Sequence, residues 1–140
     1  SIDTGEIDVN DLKTVSKRIP NENELNNSFF AWKVCKYVKS NAIVYTSNNQ
    51  TLGIGAGQMS RIDSTNIAFS KSKKVKISLM GSVMASEAFF PFRDNVDLAK
   101  KLGVSAIIQP GGSINDEKII KVANQHKLSM CFSHTRVFNL

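Results

Sequence analysis

From Lys76 to Ser133 the sequence admits few folds. "KISLMGSVMAS" reads as a strand. "RDNVDLAKKLG" places Val96, Leu98, Ala99 and Leu102 at helical spacing and ends on Gly103, a helix stop. "VSAIIQP" is a buried strand closed by Pro110, and "GGS" turns the chain. "INDEKIIKVANQHK" is a second helix with Ile119, Ile120, Val122 and Ala123 inward, and "LSMCFS" is a last strand. Strand, helix, strand, helix, strand in that order requires parallel neighbours joined by right-handed crossovers. The expected fold is therefore α/β, a largely parallel sheet flanked by helices.

The first half adds to that sheet. Residues 1–20 are polar and weakly patterned up to Pro20, and read as an extended lead-in. Asn21 or Asn23 caps a helix with Glu22 and Glu24 in its first turn. Leu25, Phe29, Trp32, Val34 and Cys35 give that helix its spacing, and it should fade near Lys39. "AIVYT" is a short β-branched run, "SNNQ" a turn, and "TLGIG" a hairpin partner. After Gly57, Met59, Ile62 and Ile67 form a weaker helical pattern.

With 140 residues, 41% of them hydrophobic and 21% charged, the chain fits one domain with a real core. No apolar run approaches the roughly 20 residues of a membrane-spanning helix, so no membrane partner is expected. The net charge of +6, 18 Lys and Arg against 12 Asp and Glu, suits anionic ligands in general. Part of it is the run Lys71, Lys73, Lys74 and Lys76, which contains no aromatic residue and reads as a solvated face; no nucleic-acid partner is expected. Cys35 and Cys131 lie apart in apolar stretches and make neither a metal pair nor a disulfide framework. They read as buried thiols in a reducing, cytoplasmic setting.

In open parallel sheets ligands gather at the carboxyl ends of the strands. Three strand exits meet that description: "SEAFFPFRD", "QPGGS" and "SHTR". Pro91 bends the first, so its phenylalanines are either core or the wall of a pocket for a flat ring, with Asp94 a hydrogen-bond acceptor. "GIGAGQMSR" lacks the spacing of a dinucleotide fingerprint and the lysine of a P-loop. What remains is a loop whose backbone N–H groups can receive an anion, with Arg61 nearby as a phosphate fork. "PGGS" has the same capacity. His126 lies on the exposed side of a helix and His134 in the terminal loop, neither with a cysteine or acid at ligand spacing, so no metal site is expected.

Taken together, "AWKVCKYVKSNAIVY", "GIGAGQMSRIDS", "GSVMASEAFFPFRDNVDLAKKLGV", "IIQPGGSINDE" and "TRVF" resemble the AICAR transformylase domain of the bifunctional purine biosynthesis proteins, over about Asp11 to Leu140. AICAR is 5-aminoimidazole-4-carboxamide ribonucleotide. The resemblance implies a cytidine-deaminase-like fold without the deaminase zinc. It implies formyl transfer from 10-formyltetrahydrofolate, the co-substrate, to the AICAR amine during inosine monophosphate synthesis. It also implies a homodimer joined through an apolar face.

By the same resemblance Asn41 positions the reacting amine, and Arg61, Phe89 and Arg136 join it in holding AICAR. Ile62, Asp94, Ser113 and Ile114 are implied to hold the folate. "FFPFRD" becomes pocket wall at Phe89, while Phe90 and Phe92 support it from the core. The family's catalytic Lys-His pair belongs to an earlier half of the domain, and no Lys-His dipeptide occurs in this sequence. Residues 21–140 are thus expected to be the C-terminal half of the transformylase domain, inactive alone, with the N-terminal half as its missing partner. A non-catalytic nucleotide- or folate-binding or dimerisation module is the alternative reading.

Overall fold

The computed structural model describes residues 12–37, 43–48, 50–55 and 79–133. The expectations for Asn41, Arg61, Ile62, His134 and Arg136, and for the weak helix after Gly57, fall outside those residues. Along the described chain run β1 (Lys13–Thr14), α1 (Glu22–Cys35), β2 (Ile43–Ser47), β3 (Gln50–Gly55), β4 (Val83–Ser86), α2 (Asp94–Leu102), β5 (Ala106–Gln109), α3 (Asp116–Gln125) and β6 (Ser129–Phe132). The strands form one sheet in the order β1-β6-β5-β4-β2-β3. β4, β5 and β6 run parallel in register Val83↔Ala106 and Ala106↔Ser129, as the strand–helix alternation requires. Antiparallel strands extend this parallel centre on both sides: β1 on β6, β2 on β4, and the expected β2–β3 hairpin. The fold is α/β.

Alternate strand residues sort to the two faces, as a pleat dictates. Ile43, Tyr45, Met84, Ile107, Met130 and Phe132 join Val96, Ala99, Ile119, Val122 and Ala123 of α2 and α3 in one core. Val44, Val83, Ala85, Ala106, Ile108 and Cys131 join Ala31, Trp32 and Cys35 of α1 in the other. Consecutive crossovers that step along a sheet in one direction leave their helices on one side, so α2 and α3 share a face. Both cysteines are buried free thiols, and burial pushes the Cys131 thiol above its ordinary pKa. Among the described residues no helix is long and apolar enough to cross a membrane.

α1 departs from its sequence pattern. Asn21, rather than Asn23, is the cap: its side chain accepts from Glu24 N–H at 2.7 Å, and Glu24 accepts from Asn21 N–H at 3.0 Å. The helix ends at Cys35, not near Lys39, because Tyr37 N–H bonds back to Val34 and tightens the last turn. Its buried stripe is Glu24, Asn27, Ser28, Ala31, Trp32 and Cys35, while Leu25, Phe29 and Val34 pack on the flank. Ser28, Ala31 and Cys35 thus share the stripe with Trp32, and the other large apolar side chains pack beside it. α2 and α3 follow their patterns; Gly103 closes α2 in the left-handed conformation at φ 93°.

The lead-in is fastened at the amino ends of the parallel strands. Arg18 donates to both carboxylate oxygens of Glu24, at 3.0 and 2.8 Å, and to the carbonyls of Lys127 and Ser105. Burial pushes the Glu24 carboxyl up, but hydrogen bonds from Arg18, Ser105 and Asn21 outweigh it and leave its pKa below the ordinary 4.5. A depressed carboxylate pKa contributes stability above the unfolded value and loses it as pH falls through the folded one. Arg18→Gln should therefore destabilise the chain fully above about pH 5.5 and progressively less below that, where protonated Glu24 no longer needs the guanidinium. Denaturant midpoints measured from pH 7 down to 3 check this; a cost independent of pH refutes the pairing.

The phenylalanine stretch is also sorted differently from expectation. Phe90 is fully buried, but Phe92 is 66% exposed and is not a core residue. Phe90 is pinned inward through its own N–H, and the bend at Pro91 then carries Phe92 back out to solvent. Phe90→Ala should cost about 3–5 kcal/mol as a core deletion. Phe92→Ala should cost less than about 1 kcal/mol, as a surface change does. Chemical denaturation of both variants ranks them.

Candidate functional site

The exits of β4 and β5 are joined at the carboxyl end of the sheet through one side chain. Gln109, the last residue of β5, is fully buried. Its Oε1 accepts from Phe90 N–H at 3.0 Å, and its backbone carbonyl accepts from Ser133 N–H at 2.9 Å. Its amide group also lies against Met130 Sδ at 3.7 Å. Sequence reasoning passed over this glutamine; the signal was a polar residue closing an otherwise apolar strand before Pro110.

The first exit is built in short steps. Ser86 Oγ donates to Ala88 O at 2.7 Å, turning the chain off β4. Phe89 follows, 40% exposed, then buried Phe90, then Pro91. Asn115 Nδ2 donates to Pro91 O at 2.8 Å and joins this exit to the start of α3. Asp94 stands exposed in the first turn of α2, where the helix dipole favours its negative charge.

The second exit answers one expectation in the negative. Asp116 in the first turn of α3 reaches back to accept from Gly112 N–H at 2.8 Å and Ser113 N–H at 3.1 Å. The donors that "PGGS" was to offer an anion are thus already held by a carboxylate, which would also repel one. Ser113 Oγ accepts from Asn115 N–H at 3.0 Å, so its hydroxyl hydrogen is left to donate. Ile114 is wholly exposed. Of the expected site residues, Phe89 and Asp94 therefore sit on the β4 exit and Ser113 and Ile114 on the β5 exit.

Beside them a cleft of about 600 Å³ opens between the start of α2 and α3. Pro91, Phe92, Ile119 and Val122 give its lining an apolar part, and Arg93, Asp94, Asn115, Lys118, Lys121 and Gln125 a larger polar one, at a volume suited to a small molecule. It includes Asp94 but not Phe89, Ser113 or Ile114. Farther along, His126 does have an acid partner, supplied by α2 rather than by its own segment: Nε2 lies 2.7 Å from Asp97 Oδ1. Arg93 grips the same carboxylate at 2.8 Å and, with His126, holds the Asp97 carboxyl below its ordinary pKa. Among the described residues no three His, Cys, Asp or Glu side chains cluster as metal ligands.

Gly111 shows how tightly the exits close on one another. It lies at φ +77°, and an added Cβ would meet the Phe132 ring at 2.5 Å. Gly111→Ala should cost about 1–3 kcal/mol, from left-handed strain and from displacing that ring. A denaturation curve superimposable on the parent's would show that the β6 exit does not pack on this turn.

Comparison with known proteins places this geometry in context. A family model described as AICARFT/IMPCHase bienzyme matches residues 1–71. The bifunctional purine biosynthesis protein PurH of Wigglesworthia glossinidia brevipalpis is 58% identical over 129 residues, 92% of this chain. The chain spans 24% of that relative's length. Among solved structures, a diaminohydroxyphosphoribosylaminopyrimidine deaminase/5-amino-6-(5-phosphoribosylamino)uracil reductase from Thermotoga maritima matches with a TM-score of 0.51 at 14% identity. That match covers 74% of this chain and 34% of the other, and is a likeness of fold alone.

Proposed function

The chain belongs to the AICARFT/IMPCHase bienzyme family, and from that premise we propose that it supplies ligand-holding walls of an AICAR transformylase in purine biosynthesis. The observation that carries the reading is that Phe89, Asp94, Ser113 and Ile114 stand on two adjacent strand exits, braced by Gln109 and Asn115. In this reading residues 1–20 lead into the C-terminal half of the transformylase domain, residues 21–140. Asn41, Arg61, Phe89 and Arg136 hold AICAR; Ile62, Asp94, Ser113 and Ile114 hold 10-formyltetrahydrofolate.

In this reading the reaction is formyl transfer. The AICAR amine attacks the formyl carbon, the carbon–N10 bond breaks, and a proton passes from the amine to N10. The amine is a poor nucleophile because its electrons are drawn into the ring and carboxamide. Holding the two heterocycles together therefore supplies much of the rate, and a proton acceptor with an oxyanion stabiliser supplies the rest. The walls come from this chain: Phe89 as a flat apolar platform, and Asp94 as an acceptor for ring N–H groups. The acceptor for the reacting proton comes from the Lys-His pair of the other half, so the 140 residues alone are inactive. Exposed Phe92 and Ile114 support a further step, that the other half or a second subunit covers this end of the sheet.

In the complete bienzyme carrying this sequence, Phe89→Ala should raise KM for AICAR about tenfold, and Asp94→Asn should do the same for 10-formyltetrahydrofolate. Arg61→Ala and Arg136→Ala should each weaken AICAR binding by about 1–3 kcal/mol in a calorimetric titration. Steady-state kinetics with each substrate varied in turn decide the matter. If neither Phe89 nor Asp94 moves the KM of its ligand, the strand exits are not the site.

A further inference from the structure

We propose that Gln109 is the positioning residue of this site, setting the mutual placement of the strand exits that hold the two ligands. The inference rests on the reading of those exits as the ligand walls, and goes beyond it by naming what fixes their geometry.

One side-chain contact and the place of Gln109 in the chain carry it. Gln109 Oε1 holds Phe90 N–H at 3.0 Å, and Phe90 sits between Phe89 and Pro91 in the first exit. The bond from Ser133 N–H to the Gln109 carbonyl, at 2.9 Å, is the last of the β5–β6 ladder and does not depend on the side chain at 109. Gln109 itself opens the exit that carries Ser113 and Ile114. One fully buried side chain thus bonds the backbone of the β4 exit from the residue that begins the β5 exit. Parallel strands pair through their backbones only as far as their last ladder bonds, and beyond them nothing in the sheet fixes one exit against the next. A buried amide can make that connection, because its oxygen accepts from the backbone N–H, whereas a methionine or leucine of similar volume has no such acceptor to offer. The reacting groups of a two-substrate transfer must be held to well under an ångström, so a loosened exit acts on both substrates together.

In the complete bienzyme carrying this sequence, Gln109→Met removes the acceptor and keeps the core volume. KM for AICAR and KM for 10-formyltetrahydrofolate should both rise about tenfold, with kcat changed less than about threefold. A glutamine that served folding alone would lower kcat, through the folded fraction, and leave both KM values where they were. Gln109→Glu, held neutral by full burial, restores an oxygen acceptor for Phe90 N–H and should bring both KM values back to within about threefold of the parent. If Gln109→Met fails to fold, Gln109→Asn makes the same test, since its amide stops one methylene short of Phe90 N–H. Unchanged KM values, or a glutamate variant no better than the methionine one, overturn the inference. Phe89→Ala in the same assay separates the two failures. If it raises KM for AICAR while the Gln109 variants do not, only the positioning role falls. If it also leaves KM unchanged, the reading of the exits as ligand walls falls and takes the positioning role with it.

Discussion

Burial of the central strands on both faces constrains everything else in this molecule. Every residue of β4, β5 and β6 is buried. Met84, Ile107, Met130 and Phe132 lie under α2 and α3, while Val83, Ala85, Ala106, Ile108 and Cys131 lie under α1. No side chain in the parallel centre of the sheet is therefore free to meet a ligand. Chemistry is confined to the two ends of the strands, and those ends are finished differently.

The amino ends are closed by charge. Arg18 spans Glu24, Ser105 and Lys127, so one guanidinium fastens the lead-in to α1 and to the turns that begin β5 and β6. The carboxyl ends are joined by neutral amides, Gln109 to Phe90 and Asn115 to Pro91. Their one nearby carboxylate bridge among the described residues, Asp116 to Gly112 and Ser113, folds a loop back on its own helix. A neutral brace holds geometry without filling the site with a fixed charge, which suits an end that presents Phe89, Asp94 and Ile114 to solvent.

The sequence made the second half legible because its signals were redundant. Val96, Ala99 and Gly103 agree on one helix, and Pro110 closes the strand before it can be mistaken for anything longer. α1 was legible as a helix but only in part in its orientation. The apolar pattern places Trp32 and Cys35 on the buried stripe where they lie, but it also favours Leu25 and Phe29, which pack on the flank, over Ser28 and Ala31. Phe90 and Phe92 carry the same side chain and are separated by one proline, so nothing local distinguishes them; the difference is tertiary, with the Phe90 ring in the core and its N–H on Gln109, nineteen residues away. His126 and Asp97 are likewise a tertiary pair, 29 residues apart, invisible to any search for ligand spacing. Asp116 illustrates the converse failure. A glycine-rich turn before a helix reads as an anion site only until the helix's own first acid is seen to occupy it.

The same bend explains how one strand exit can serve two ligands in the proposed function. Phe89 and Asp94 flank the bend, and between them Phe90 is buried while Phe92 is turned outward. A chain that dives into the core at one residue and re-emerges two residues later must present the residues on either side of the dive at different places. Phe89 stays near the sheet edge of the exit, whereas Asp94 is carried to the first turn of α2 beside the cleft. The buried phenylalanine between them, fixed by Gln109, keeps the two positions distinct.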